Sequence, residues 1–122
     1  MRWEFLYHPQ QQYLEAKVSG ELTDEGLTRM ASERWVILQK LGWHKILFNF
    51  MDAINSLGIF EIYARPEKTE GVGIPRVNHT AAWVPTGELD KYGFMETVYR
   101  NRGYDLRIFA TREEAIRYLA AD

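Results

Sequence analysis

The sequence predicts a single α/β domain spanning residues 1–122, with a mixed, mostly parallel sheet of about five strands and helices packed mainly on one side. Short apolar runs alternate with longer segments of helical periodicity, which is typical of parallel strands joined by helices. Two alternating segments precede this pattern and predict an antiparallel hairpin. The 122 residues, 46% of them hydrophobic, are enough for one buried core. The predicted order is ββαβαβαβα.

Composition excludes several classes of protein. The net charge is −2, with 15 Lys and Arg against 17 Asp and Glu, so no basic excess points to nucleic acid. The absence of cysteine excludes disulfides, thiolate metal sites and cysteine catalysis. The first nine residues lack a signal-peptide pattern, and no apolar run is long enough to span a membrane. We therefore expect a soluble cytoplasmic protein that is not an integral membrane protein.

The N-terminal segments predict a hairpin. Trp3–Tyr7 is aromatic and alternates around a glutamate, and Tyr13–Ser19 alternates polar with apolar residues. The polar residues 8–12 between them are typical of a turn.

The first helix is predicted from Thr23 to about Leu41. Thr23 is a suitable N-cap, Asp24 and Glu25 favour the positive end of the helix dipole, and Gly42 is a typical C-terminal glycine. The inner face is predicted to comprise Leu27, Met30, Ala31, Leu38 and Leu41.

Residues 45–65 form the central part of the prediction. Ile46–Phe48 has the length and composition of a buried strand, and Met51–Asn55 is predicted to be a polar turn. Ser56 begins a helical pattern, and either Ser56 or Asn55 can cap its first turn. The apolar positions of this helix are Leu57, Phe60 or Ile59, Tyr63 and Ala64. Because ligands and partners of open α/β sheets usually bind beyond the strand C-termini, this junction is the candidate site.

The remaining chain is divided by glycine and proline. Pro66–Arg76 is predicted to be a loop, Val77–Val84 a buried strand, and Pro85–Gly87 a turn. A helix then begins at Asp90 or Glu88 and continues through Arg102, before the terminating Gly103. Its inward residues are predicted to be Phe94, Met95 and Val98.

The C-terminal segment predicts a strand and a helix. Leu106–Phe109 is a short apolar run, and Thr111 and Glu114 have the spacing of a capping box. Ala115, Ile116 and Leu119 then repeat at helical spacing.

These elements resemble the STAS fold of anti-sigma-factor antagonists and sulfate-transporter tails, and more closely the stand-alone SpoIIAA-like (STAS/SEC14-type) bacterial proteins. Residues 45–65 resemble the family's strand, acidic turn and helix start. Val77–Val84 resembles its next core strand, and Phe94–Leu119 its closing helix, strand and final helix. The resemblance covers nearly the whole chain.

The chain departs from the family at the regulatory turn. Regulatory members carry an Asp-Ser-Ser-Gly turn in which a serine is phosphorylated, whereas this chain has Asn55, Ser56, Leu57 and Gly58. Leu57 stands where the phosphorylated residue would lie. An alternative alignment places Asp52 and the following alanine against the Asp-Ser pair, and it also lacks the serine. Ser56 is therefore interpreted as a capping residue, with phosphorylation as the alternative.

The resemblance implies a non-enzymatic regulatory module that binds a protein partner, such as a kinase or an anti-sigma-type factor, or forms a homodimer. The implied site consists of Asp52, Asn55, Ser56, Leu57 and Gly58, beside the turn at 85–88. SEC14-type kinship implies the alternative of a carrier for a lipid or another small apolar ligand. An enzyme is the third class, for which Asp52 and Ser56 are the available polar groups.

Other polar residues suggest little further chemistry. His8, His44 and His79 have no metal-ligand spacing, so no metal site, catalytic residue or cofactor is predicted. Arg65, Lys68 and Arg76 flank the glycine-containing loop, where they can hold an anionic group or remain solvated. The aromatic residues exceed what a small core needs, and some can form an exposed patch or line an apolar pocket.

Overall fold

A computed structural model describes residues 1–121 of the chain. It contains five strands and four α-helices in the predicted order, with a short 3-10 turn at Thr86–Glu88. The elements are β1 (Arg2–His8), β2 (Tyr13–Glu21), α1 (Asp24–Leu41), β3 (Lys45–Ile54), α2 (Ile59–Gly71), β4 (His79–Trp83), α3 (Leu89–Asn101), β5 (Asp105–Phe109) and α4 (Arg112–Ala120). Within residues 1–121, none of the helices combines the length and apolar character needed to cross a bilayer.

The strands form one sheet in the order β1-β2-β3-β4-β5. β1 pairs antiparallel with β2, and the three remaining pairs are parallel. Because β2 to β5 run in the same direction, their C-terminal ends share one edge of the sheet. The predicted α/β class, hairpin and mixed sheet are confirmed.

The helices divide unequally between the two faces of the sheet. The larger core packs α1, α2 and α3 against one face, where Leu14, Ile46 and Phe48 are buried. On the other face, Leu47 and Ala81 are buried beneath Ala115 and Leu119 of α4. The prediction of helices mainly on one side is confirmed, with α4 as the exception.

Three predicted helix ends are confirmed by their hydrogen bonds. The Thr23 hydroxyl accepts the N–H of Gly26 at 2.9 Å at the start of α1. The Thr111 hydroxyl accepts the N–H of Glu114 at 3.2 Å at the start of α4. Gly42 ends α1 in the left-handed region, with φ of 70°, and donates its N–H to the Leu38 carbonyl at 2.8 Å.

Replacing Gly42 by alanine is expected to lower the free energy of unfolding by about 1 kcal/mol, because a side chain disfavours this left-handed backbone. An added Cβ would meet no atom within 4 Å, so the cost is conformational rather than steric. Gly71→Ala is the control, since Gly71 also has open space and lies at the end of α2 without positive φ. Urea denaturation of both variants measures the difference, and equal stabilities would contradict the conformational explanation.

The predicted turn at Met51–Asn55 is wrong, because β3 continues to Ile54. The extension is paired: Ser19 lies opposite Asp52 and Glu21 opposite Ile54. A register shift in β2 precedes these pairs. Strand pairing with β2 therefore overrides the polar character of this segment.

The predicted loop at Pro66–Arg76 is also wrong at its start, because α2 includes Pro66 and ends at Gly71. The residues that α2 buries are Ile62, Arg65, Pro66 and Thr69, which lie on one face at helical spacing. Packing of this face keeps the helix intact at a residue that cannot donate the usual backbone hydrogen bond.

Three residues predicted to be buried are exposed. Phe94 of α3 is on the surface while Tyr92 occupies the core, and Leu41 is exposed in the last turn of α1. Val77 precedes β4, because pairing with β3 begins only at His79, opposite Lys45.

Candidate functional site

The predicted site residues lie around the connection between β3 and α2, at the C-terminal edge of the sheet. Asp52 is exposed on β3 rather than in a turn. Ser56 and Gly58 are exposed, whereas Asn55 and Leu57 are buried. In segment 55–58, the buried side chains of Asn55 and Leu57 therefore alternate with positions that are open to solvent.

Asn55 holds the connection in its conformation. Its side-chain Oδ1 accepts the N–H of Leu57 at 3.3 Å, which is a local turn typical of asparagine. Its backbone carbonyl accepts a hydrogen bond from Lys91 of α3. Leu57 is 6% exposed and belongs to the core, so its side chain does not face a partner in this conformation.

The predicted cap at Ser56 or Asn55 is wrong. Gly58 is the N-cap of α2, and its N–H donates to Glu61 Oε1 at 2.9 Å. The Ser56 hydroxyl instead donates to Glu21 Oε1 on β2 at 2.7 Å. A phosphate on Ser56 would break this bond and place its negative charge beside the Glu21 carboxylate, which is unfavourable.

Four strongly exposed apolar side chains adjoin this connection. Phe60 is 89% exposed, Ile59 69% and Tyr63 58%, and their spacing places them together on the outer side of α2. Ile54, at the end of β3, is 60% exposed. These four residues are called the α2 apolar surface below.

The expectation that Arg65, Lys68 and Arg76 hold an external anion fails because each has an acceptor within the chain. Arg65 is buried and donates to Asp24 Oδ1 at 3.0 Å, and Lys68 binds the other oxygen of that carboxylate. Burial opposes ionisation of Asp24, but these two cations outweigh it and lower its pKa. Arg76 pairs with Glu70 at 3.1 Å.

Two of the three histidines have polar partners. His8 Nε2 lies 2.9 Å from Glu15 Oε1, and His79 contacts both Asp105 and the carbonyl of Tyr118. In the part of the chain that the structure describes, no three His, Cys, Asp or Glu residues are grouped as a metal would require. His79 thus has the satisfied partners expected of a structural histidine.

A carboxylate network binds α4 to the sheet on the face opposite the larger core. Glu15 of β2 accepts from both terminal nitrogens of Arg112, at 2.7 and 3.0 Å, and from Asn49 at 3.5 Å. Burial opposes ionisation of Glu15, but the hydrogen bonds from Arg112 and His8 outweigh it, so its pKa is lowered. This network could not be predicted from the sequence, because its two main partners are separated by 97 positions.

A second feature is a cavity of about 60 Å³ between the sheet and helices α1 to α3, whose cationic lining was not predicted from the sequence. Arg34 of α1 lines it, with its guanidinium carbon 4.9 Å from the centre of the Phe48 ring. The sequence carried a signal for this cation: Arg34 follows Met30 and precedes Leu38 by four residues, on the predicted apolar face of α1. A charged residue at that position indicates that a cation is packed among the apolar residues of the core.

Comparison with known proteins shows the fold and no nearer relationship. No family model matches the sequence, and no curated protein matches it. Among solved structures, the unphosphorylated anti-sigma factor antagonist SpoIIAA aligns with 99% of this chain and 100% of its own, at 17% identity and a TM-score of 0.53. The phosphorylated Bacillus cell fate determinant SpoIIAA aligns with 95% of this chain and 97% of its own, at 18% identity and a TM-score of 0.52.

A third solved structure is similar over the same extent. It is an uncharacterized protein of the DUF3478 family from Shewanella loihica PV-4, described as having a SpoIIAA-like fold. It aligns with 97% of this chain and 92% of its own, at 17% identity and a TM-score of 0.59. Together with the five-stranded mixed sheet and its helices, these similarities show that this chain has a SpoIIAA-like fold.

Proposed function

We propose that the protein is a non-enzymatic regulatory module that binds a protein partner through the α2 apolar surface and the adjoining segment 55–58. The observation that supports this proposal most directly is the exposure of Phe60, whose ring is almost entirely in solvent. Large exposed apolar groups that adjoin one another are typical of protein interaction sites. Aromatic side chains are also enriched where such interfaces are buried most completely.

The charged residues around this surface favour a partner with a basic rim. Asp52, Glu21 and Glu61 are exposed beside it. Arg102 lies 5.5 Å from the Tyr63 ring centre and covers part of that ring on the other side. An anti-sigma-type factor or a kinase with an apolar contact and flanking cations would complement this surface, and the SpoIIAA structures support a role of that kind because they belong to an anti-sigma factor antagonist.

The arrangement of Asp52 and Ser56 supports a binding role more than a catalytic one. The Ser56 hydroxyl donates to Glu21 of β2 rather than to Asp52 of β3. The histidines that the structure pairs, His8 and His79, are held by Glu15 and Asp105. A lipid carrier is not favoured, because the cavity of about 60 Å³ beneath the helices is far below the roughly 300–1,000 Å³ of typical ligand pockets. A second depression of about 410 Å³, bordered by Tyr7, Ile37 and Trp43, is a surface groove that is more open to solvent.

A photo-crosslinking amino acid at position 60 is expected to join the protein to one discrete partner in the cells that express it. The same amino acid at Val36, which is exposed on α1, is the control for random contact. Ile59→Glu should abolish the adduct at position 60, since a charge within the buried part of an interface is costly. Because Ile59 is 69% exposed, this substitution should leave urea stability nearly unchanged.

The mass of the adduct distinguishes the kinds of partner. A mass of two chains identifies a homodimer, and a larger or smaller increment identifies a different protein by peptide mass spectrometry. The proposal fails if positions 60 and 36 give the same adducts, or if position 60 gives none.

A further inference from the structure

The cavity beneath α1 to α3 gathers polar groups that lack hydrogen-bond partners. Arg34 Nε, Asn78 Nδ2 and the Tyr92 hydroxyl are all enclosed, line this cavity, and have no partner among residues 1–121. Buried polar groups are normally hydrogen-bonded, and leaving one without a partner destabilises the folded protein. Three in one cavity therefore indicate a missing hydrogen-bonding molecule rather than three independent defects.

The unmatched groups favour an acceptor with negative charge. Arg34 Nε and Asn78 Nδ2 are donors, and the tyrosine hydroxyl can donate as well. Among the described residues, Arg34 forms no ion pair. The other cation of the cavity, Arg65, is already bound to Asp24. Asp105 also lines the cavity, but its carboxylate is engaged by His79, Tyr118 and Arg100.

Most of the remaining wall is apolar. Met30, Phe48, Ala82, Met95 and Ile108 contribute to it from two helices and three strands. The volume of about 60 Å³ exceeds the ~10–15 Å³ that one water molecule requires, but admits only a few non-hydrogen atoms. The occupant must therefore be small, with an apolar part as well as an acceptor.

We propose that this cavity binds a small organic monocarboxylate with a short hydrocarbon body. Its carboxylate accepts hydrogen bonds from Arg34 Nε and Asn78 Nδ2, and its hydrocarbon part contacts the apolar wall. Arg34 is the residue that selects for charge, since a guanidinium matches a carboxylate in both charge and geometry. This site is separate from the α2 apolar surface, so it does not depend on the proposed protein partner.

The test is titration of the ¹⁵N-labelled protein with butyrate while the Nε–H resonance of Arg34 is followed by NMR. Butyramide and butylamine are the matched probes, because they keep the hydrocarbon and remove or reverse the charge. We expect butyrate to shift the Arg34 resonance saturably, and at least a tenfold weaker response to butyramide. Butylamine should give none.

Three variants connect the response to the cavity. Arg34→Met should weaken butyrate binding at least tenfold in a calorimetric titration, whereas Arg29→Met, at an exposed site of the same helix, should leave it unchanged. Ala82→Val keeps Arg34 and reduces the space, so it should also weaken binding, and it covers the case in which Arg34→Met repacks the core. The proposal is overturned if butyrate and butyramide act alike, if only inorganic phosphate binds, or if none of the probes shifts the Arg34 resonance, which would mean that water alone satisfies the donors.

Discussion

Replacing Arg112 by alanine is expected to lower the free energy of unfolding at pH 7 by about 3 kcal/mol, because the Glu15 carboxylate would remain buried without its main partner. The Glu15 side chain is only 3% exposed, whereas that of Arg112 is 31% exposed. Glu15→Gln is expected to cost less, since the remaining Arg112 guanidinium can reach water. Urea denaturation followed by tryptophan fluorescence measures both variants.

The effect of Arg112→Ala should depend on pH in a defined direction. In the native protein the pKa of Glu15 is lowered, so its stabilisation is complete above the unfolded pKa of about 4.3 and is lost as pH falls through the lower folded value. In the variant, burial opposes ionisation of Glu15 without Arg112 to outweigh it. The stability difference between the two proteins should therefore shrink as pH falls from 7 to 3.

Arg117→Ala is the matched control, because Arg117 is exposed on the same helix. It should change stability by less than about 0.5 kcal/mol at either pH. A cost of Arg112→Ala that is no larger than that of the control, or that does not vary with pH, would show that the Glu15 network contributes nothing to the attachment of α4.

The second large effect is expected in the opposite direction: Arg34→Met should raise the free energy of unfolding by about 1–2 kcal/mol. Burial lowers the pKa of Arg34 to about 10, so the side chain is still charged at pH 7 but its charge is poorly solvated. The Phe48 ring compensates only part of this cost. Methionine is shorter than arginine, but it would remove the charge and occupy part of the space with a flexible apolar side chain.

Thermal unfolding and urea denaturation should both show the gain, as an increase in Tm of about 3–6 °C for a domain of this size. Arg29→Met makes the same chemical change on the exposed side of α1 and should shift Tm by less than about 2 °C. If Arg34→Met destabilises the protein, the guanidinium is compensated within the native structure, and its position in the cavity needs no ligand. A gain in stability with a loss of butyrate binding is the trade-off typical of binding sites.

The correctly predicted parts of the fold depend mainly on interactions between residues that are close in the sequence. Thr23, Gly42 and Thr111 act within one helical turn of themselves, so short sequence patterns suffice to locate those helix ends. The alternation of strands and helices likewise follows from periodicity along the chain. The antiparallel hairpin needed only two adjacent segments and the turn between them.

The connection between β3 and α2 that carries the candidate residues was predicted, but its structural details were wrong. β3 extends through Asp52 because β2 pairs with it there, and pairing between segments 33 positions apart leaves no local pattern. The start of α2 moved from Ser56 to Gly58 for a similar reason, because Glu21 on another strand binds the Ser56 hydroxyl. Only the assembled sheet brings these groups together.

Hydrophobic periodicity was not sufficient to predict which face of α2 points toward the core. Its first turns carry apolar residues on nearly every side, so hydrophobic spacing alone allowed Phe60 and Tyr63 to be inward. In the structure Arg65 donates to Asp24 and Thr28 of α1, and Thr69 bonds to Tyr99 of α3. Those contacts turn the face with Arg65 and Thr69 inward, leaving Phe60 in solvent.

The order of strands and helices, the helix ends at Thr23, Gly42 and Thr111 and the α/β class could thus be read from the residues alone, because each depends on interactions between near neighbours. The exposed face of α2 and the unpaired Arg34 in its cavity depend on contacts between distant segments. The stability of these arrangements depends on burial and on the hydrogen-bond partners that packing provides. Both arise only when the helices pack against the sheet.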